Sequence, residues 1–100
     1  KLPETSLGAQ HVYHQFVIRT PQRNDLSRYL RNRGVGTAIH YPVPIHRHPA
    51  YAGRLPTSGP LPQTDAASRE ILSLPMYPQL RDDEVITVAR HILAWIDRQS

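Results

Sequence analysis

Proline is the residue that most restricts what this chain can fold into. The sequence has 100 residues and ten prolines, and residues 41–62 hold six of those prolines together with two glycines. Proline fixes φ and has no backbone N–H, so this segment can form neither a long helix nor a central strand. The pattern predicts a long loop that its prolines keep ordered. Loops of this length without regular structure are uncommon and often carry function.

Two strands and a helix are predicted before this loop. Residues 11–19, HVYHQFVIR, alternate in polarity as a strand with one apolar face does. A helix is expected from about Asn24 to Arg33, capped by Asn24 or a neighbour. Gly34 stands where a helix C′ glycine belongs. Residues 35–40, VGTAIH, predict a second short strand that ends where the loop begins.

Two helical patterns follow the loop, with an extended stretch between them. Residues 63–72, QTDAASREIL, predict a helix, and residues 72–75, LSLP, predict a short strand. Residues 81–100 form the strongest helical pattern, with an acidic first turn that suits the helix dipole. Its apolar stripe consists of Val85, Val88, Ala89, Ile92 and Ile96. This order of elements predicts a small two-layer α+β domain, in which helices pack on a short mixed or antiparallel sheet.

Composition excludes several classes of protein. There is no cysteine, which rules out disulfides and thiolate zinc sites. No apolar run approaches the ~20 residues that span a bilayer, and residues 1–10, KLPETSLGAQ, lack the apolar core of a signal peptide. We interpret those residues as a polar lead-in or a cut linker, and the chain as a soluble, cytoplasmic domain with no membrane partner.

The net charge of +4 gives only weak support to a nucleic-acid partner. Eleven of the twelve basic residues are arginine, the side chain best suited to bidentate contact with phosphate. The arginines are scattered, however, with no basic run and no interleaved aromatic residues. We therefore expect solvated surface arginines and no nucleic-acid partner.

The stretch GTAIHYPVPIHRHP can be a metal site, an active-site wall or only a stiff connection. The spacing of His40, His46 and His48 suits metal ligands, but no cysteine or nearby carboxylate completes a set, so no metal site is expected. His40 and Tyr41 follow a predicted strand, which can aim them at a carboxylate, a sugar hydroxyl or a proton in transfer. His46 and Arg47 would form a polar rim, and Arg47 suits a diphosphate or a carboxylate.

Structural roles are the competing interpretation of these residues. His40 can be a hydrogen-bonded histidine at a domain junction, and Arg47 can be plainly exposed. Packing in the core or against a neighbouring domain is expected for Tyr13, His14, Tyr77 and Trp95.

Three stretches of the sequence resemble one enzyme family. They are YHQFVIR, DLSRYLRNRGVGTAIHYPVPIHRHPAY and ASREILSLPMYPQLRDDEV. Over residues 11–96 they are similar to the C-terminal part of the sugar aminotransferases of the DegT/DnrJ/StrS type. The most specific pieces are His40-Tyr41-Pro42 with Pro44 and His46, and the later Leu72-Ser73-Leu74-Pro75.

The resemblance implies a fold, a reaction and a set of substrate-proximal residues. The family's enzymes are of fold type I, depend on pyridoxal phosphate (PLP) and are usually homodimers. They transfer an amino group, generally from glutamate, to a keto-sugar carried on a nucleoside diphosphate. A large domain holds PLP, and the C-terminal small domain, residues 11–100 here, closes over the active site. His40, Tyr41, His46 and Arg47 are therefore expected near the substrate.

One departure from the family limits what these residues can do. The family's Schiff-base lysine lies in the large domain, and Lys1, the only lysine here, lies outside every matching motif. We expect no catalytic, cofactor-binding or metal residue in this chain, and no activity or bound PLP for the isolated 100 residues. A sugar dehydratase on the same scaffold and a non-catalytic binding module remain alternatives. An apolar face left without its large domain would favour self-association.

Overall fold

Three helices and a two-stranded antiparallel sheet make up the structure. The computed structural model describes all of residues 1–100. In chain order the elements are β1 (Phe16–Arg19), α1 (Arg23–Arg31), a single 3₁₀ turn (Ile45–Arg47), α2 (Pro62–Glu70), β2 (Ile71–Leu74) and α3 (Asp82–Gln99). The predicted α+β class, with helices packed on a short antiparallel sheet, is confirmed. None of the helices combines the length and apolar character needed to cross a membrane.

β2 lies between two neighbours. On one side it pairs with β1 in an antiparallel register that runs from Phe16↔Leu74 to Arg19↔Ile71. On the other side Ser73 forms an isolated antiparallel bridge with Ala38. The N–H of Ser73 donates to the carbonyl of Ala38 at 2.7 Å, and the N–H of Ala38 donates back at 3.1 Å. Hydrogen bonding therefore fixes the backbone of Ser73 more tightly than that of an edge residue.

Both predicted strands before the loop are shorter than the sequence suggests. The strand predicted over residues 11–19 begins only at Phe16, because β2 ends at Leu74 and Pro75 has no N–H to extend the ladder. Residues 35–40 supply only the bridge at Ala38. The N–H of Val35 is not free for a sheet, since it donates to the carbonyl of Leu30 at the end of α1.

Gly34 ends α1 as predicted. Its φ is +78°, in the left-handed region that glycine adopts without strain. The N–H of Val35 donates to Leu30 at 3.0 Å and that of Gly34 donates to Arg31 at 3.1 Å, which together form a Schellman motif. The helix start differs from the prediction, because no side chain caps it and Asn24 lies inside the helix.

The helix predicted over residues 63–72 is displaced towards the N-terminus. α2 begins at Pro62, a favourable first helical residue, and ends at Glu70. Ile71 and Leu72, predicted as its last turn, instead open β2 and pair with Arg19 and Ile18. Long-range pairing with β1 thus overrides the local helical pattern.

The core lies between one face of the sheet and helices α1 and α3. Its buried apolar residues are Ile18, Leu26, Leu30, Val35, Leu72 and Trp95. Trp95 is in the core, where its indole N–H donates to Asp25 Oδ2 at 3.0 Å. Within the predicted stripe of α3, Val88 and Ile92 pack against this core.

The outer part of that stripe is not buried. Val85 and Ile96 are 48% and 47% exposed, so the fold buries only part of the predicted apolar stripe. They line an apolar groove of about 680 Å³ that also includes Phe16, Leu74 and Met76. The reason is that α1 and the sheet cover only the Trp95 side of α3.

Candidate functional site

The side chain of His40 is held against the sheet. Residues alternate between the two faces of an extended chain, so His40 lies on the same face as Ala38 and Ser73. Its Nδ1 is 2.8 Å from the hydroxyl oxygen of Ser73. Ser73 is buried at 6% exposure, whereas His40 is exposed. Nε2 is therefore the ring nitrogen that remains available to a partner outside the fold.

Tyr41 extends the surface that His40 begins. The two rings meet edge to face, with centroids 5.5 Å apart. Tyr41 is 72% exposed, and its hydroxyl makes no hydrogen bond within the chain. An exposed aromatic ring with a free hydroxyl can stack on a planar or sugar ring and can donate a hydrogen bond.

A single carboxylate, that of Asp65 in α2, holds both His46 and Arg47. Nε and Nη2 of Arg47 donate to the two Asp65 oxygens at 2.7 and 2.8 Å, a bidentate pair. Nε2 of His46 lies 3.1 Å from Oδ1 of the same carboxylate. The Asp65 side chain is 13% exposed and that of Arg47 is 63% exposed. Asp65 thereby fastens the 3₁₀ turn of the loop to α2.

The electrostatics of this cluster favour the ionised carboxylate. The hydrogen bond from Arg47 is the main cause that lowers the pKa of Asp65 from 3.8 to about 2, and the charge of Arg47 acts in the same direction. The same pair raises the pKa of Arg47. The cluster is therefore a charged pair throughout the neutral range.

The four residues expected near a substrate form two separately anchored pairs. His40 and Tyr41 depend on Ser73 in β2, while His46 and Arg47 depend on Asp65 in α2. No hydrogen bond or ring contact joins one pair to the other. Both pairs lie at the start of the proline-rich loop, within eight consecutive residues.

The histidines of this stretch do not converge on one point. Nδ1 of His48 accepts from the N–H of Ala50 at 3.3 Å, so His40, His46 and His48 each have a different partner. No group of three or more histidine and carboxylate side chains is arranged to hold a metal ion.

Sequence reasoning missed the two residues that anchor the site. Ser73 is a polar residue between Leu72 and Leu74, and a buried hydroxyl in an apolar strand needs a partner. A serine between two leucines is thus the sequence feature that could have indicated this contact. Asp65, by contrast, has the pattern of an ordinary acidic residue in the first turn of a helix. Nothing in its local sequence indicates that it binds Arg47 and His46, 18 and 19 positions earlier.

The only lysine lies at the opposite edge of the sheet from His40. The backbone N–H of Arg19 donates to the carbonyl of Lys1 at 2.9 Å, and the terminal amine of Lys1 donates to Arg19 at 2.7 Å. The order across the sheet is thus Lys1, β1, β2 and the Ala38 segment. Three strand spacings, about 14 Å of backbone, separate the two edges.

Comparison with known proteins shows what this architecture belongs to. The sequence matches the DegT/DnrJ/EryC1/StrS aminotransferase family over residues 1–93. The chain belongs to that family. The resemblance inferred from the sequence motifs is confirmed, and the family is one of aminotransferases.

Individual family members support the assignment. The dTDP-3-amino-3,4,6-trideoxy-alpha-D-glucose transaminase of Streptomyces venezuelae is 40% identical over 97 residues, which cover 97% of this chain and 26% of that protein. The pleiotropic regulatory protein of Geobacillus stearothermophilus is 39% identical over 82 residues, or 82% of this chain and 22% of that protein. A crystal structure of S. venezuelae DesV in complex with a ketimine intermediate superposes with a TM-score of 0.88 at 40% identity, covering 94% of this chain and 25% of that one.

The chain spans about a quarter of the length of these relatives. The fold described here therefore corresponds to one part of the longer relatives.

Proposed function

We propose that this chain is the C-terminal small domain of a PLP-dependent nucleotide-sugar aminotransferase. The enzyme would transfer an amino group from glutamate to a keto-sugar on a nucleoside diphosphate, in the cytoplasm and as a homodimer. The observation that carries the proposal is the family match over residues 1–93, together with a 40% identical relative named as a dTDP-sugar transaminase. Within the chain, residues 11–100 would form the domain and residues 1–10 the approach to it.

His40 and Tyr41 would form the part of the domain that contacts the sugar nucleotide. Nε2 of His40 is free to hydrogen-bond a sugar hydroxyl, a phosphate oxygen or the donor carboxylate. Tyr41 offers an exposed ring and hydroxyl beside it. Because both follow directly from a residue bridged to β2, they start from a fixed backbone rather than from the middle of a loop.

His46 and Arg47 would form the outer wall of the same site. Asp65 occupies Nε and Nη2 of Arg47, which leaves Nη1 to meet an anion. A guanidinium already held by a carboxylate loses less side-chain freedom when it binds a phosphate or carboxylate of the substrate. We propose that this preorganised contact contributes to binding of the diphosphate or of glutamate.

The residues of this chain do not fit a covalent PLP site. Lys1 is the only lysine, and its backbone is paired with β1 at the edge of the sheet opposite His40. When bound elsewhere in the enzyme, PLP supplies the electron sink for amino transfer. This chain would cover the substrate, orient it and exclude water, and we expect the isolated 100 residues to be inactive.

The proposal is tested on the complete gene product that contains these residues, purified from its source organism. We expect an intact mass well above 11.4 kDa, the absorbance of bound PLP, and glutamate-dependent amination of a dTDP- or UDP-linked keto-sugar. His40→Ala should raise the KM for the sugar nucleotide roughly two- to tenfold, as expected for one lost hydrogen bond. His14 lies before β1 and is exposed rather than packed in the core of this chain, so His14→Ala is the matched control and should leave KM unchanged.

Three results would contradict this assignment in different ways. A product of about 11.4 kDa that stays colourless with PLP would remove the enzymatic role and leave a binding module. Dehydration of the sugar nucleotide without amino transfer would point to the dehydratase alternative. Equal KM values for wild type and His40→Ala would remove His40 from the site while leaving the family activity in place.

A further inference from the structure

Ser73 is the one buried polar side chain on the sheet beneath the substrate-proximal loop. Ser73 is only 6% exposed, and its side chain lies on the face of the sheet opposite Leu72, the same face as Ala38 and His40. Burial of a hydroxyl is unfavourable unless it is hydrogen-bonded. Its only side-chain partner is Nδ1 of His40, at 2.8 Å. His40 is therefore the side chain that satisfies this buried hydroxyl.

We propose that Ser73 is a positioning residue, which fixes the direction of the His40 ring. This inference rests on the proposed function of His40 as a substrate contact. A serine hydroxyl can donate to Nδ1 or accept from it, so the hydrogen bond holds the ring in either tautomer and leaves Nε2 free for a substrate.

The backbone around Ser73 makes it suited to this task. Ser73 pairs with Val17 on one side and is bridged to Ala38 on the other, so its hydroxyl starts from a position fixed by two neighbouring segments. His40 is only two residues from Ala38, which leaves little backbone freedom between the bridge and the imidazole. The ring of an otherwise exposed histidine is thus held by the most constrained part of the sheet.

The direct test reads the imidazole itself by NMR relaxation of the His40 ring in the full chain at neutral pH. In the wild type we expect an ordered ring, with less fast motion than the ring of the exposed His14 in the same sample. In Ser73→Ala the motion of the His40 ring should rise to that of His14. Ser73→Thr keeps the hydroxyl in a residue that suits a strand, and it should restore the wild-type pattern. Unfolding midpoints measured alongside show that each variant is folded.

The kinetic consequence is measured in the complete protein. Ser73→Ala should raise the KM for the sugar nucleotide roughly two- to tenfold, and should have no further effect once His40 is replaced by alanine. Ser73→Thr should retain the wild-type KM. This dependence on His40 is a result that a purely structural serine would not give.

The outcomes separate this inference from the function on which it rests. An unchanged order of the His40 ring in Ser73→Ala would overturn the positioning role whatever the kinetics. Lost ring order with additive effects of the Ser73 and His40 substitutions would overturn it too. If His40→Ala alone leaves KM unchanged, the proposed substrate contact fails, and NMR still shows independently whether Ser73 orders the ring.

Discussion

The framework and the proline-rich segment of this chain are held in shape by different forces. The framework consists of the two strands and three helices, and the proline-rich segment is defined as residues 41–61. Every buried residue lies in the framework or in its connections, and none lies in the segment. The segment is instead stiffened by prolines and fastened by polar contacts, from His46 and Arg47 to Asp65 and, just before its first residue, from His40 to Ser73.

This difference explains how one small domain can be both stable and open to a substrate. Burial of apolar side chains needs no particular partner beyond the fold itself, so it suits a scaffold. Polar anchors at the start of the segment fix a few side chains while leaving their outer atoms exposed. Substitutions in the two regions should therefore have different consequences, and the following three are ordered from the largest expected effect on stability to the smallest.

Leu72→Ala should have the largest effect on stability. Leu72 is fully buried between the sheet and the helices, and loss of such a leucine costs about 2–5 kcal/mol of unfolding free energy. Leu55→Ala, in the proline-rich segment at 42% exposure, is the matched control and should change stability by less than about 0.5 kcal/mol. Chemical denaturation measures both. Equal losses of unfolding free energy would mean that the proline-rich segment contributes to the core as the framework does.

Gly34→Ala should have an intermediate effect. A Cβ at this position meets no atom within 4 Å, so the cost arises only from the left-handed backbone at φ +78°. That cost is about 1–2 kcal/mol. Gly36→Ala, two residues later, has neither a positive φ nor a crowded Cβ, and should be neutral or stabilising by up to about 1 kcal/mol. Thermal unfolding of the pair separates them, and similar midpoints would contradict the Schellman ending of α1.

Asp65→Asn should loosen the proline-rich segment with little effect on the framework. The amides of Arg47, His48 and Tyr51 donate to carbonyls within the segment, so their hydrogen exchange reports its order. We expect their protection to fall roughly two- to fivefold, the range for a partly exposed ion pair. The amide of Ser73, which is bridged to Ala38, should keep its protection.

The pH dependence of the same contact follows from the low pKa of Asp65. The pKa of Asp65 is about 2 in the fold, compared with its ordinary value of 3.8. The carboxylate therefore stabilises the fold fully at pH values above 3.8, and this stabilisation is lost as the pH falls through about 2. The wild-type protection of the segment should therefore approach that of Asp65→Asn over this interval. Asp83→Asn is the control, because Arg81 lowers the pKa of Asp83 in the same direction, but at the start of α3 and without a hydrogen bond to the segment. If Asp65→Asn leaves the pH profile of amide protection unchanged, the contact of Asp65 with His46 and Arg47 does not hold the segment.

Much of the framework could be predicted because its signals are local. The C-terminal glycine of α1, the position of α3 and the burial of Trp95 follow from patterns within a few residues of each feature. The errors concern partners distant in sequence. The first strand is short because its partner ends at Leu74, and α2 ends early because Ile71 pairs with Arg19.

The candidate site shows the same division. His40, Tyr41, His46 and Arg47 could be selected by residue type and spacing, but their anchors could not. Ser73 lies 33 positions after His40, and Asp65 lies 18 after Arg47. Such contacts depend on the tertiary fold, which brings residues distant in sequence together. No local sequence pattern indicates them.

The measurement that tests the account most directly is hydrogen exchange of the complete protein with and without dTDP-glucose and UDP-N-acetylglucosamine as non-reacting probes. We expect the bound sugar nucleotide to increase protection in peptides that span residues 39–48, and to leave α1 unchanged. His40→Ala should weaken that protection, whereas His14→Ala should not. Binding of either probe with no change in residues 39–48, or with protection confined to α1, would show that this segment does not contact the substrate.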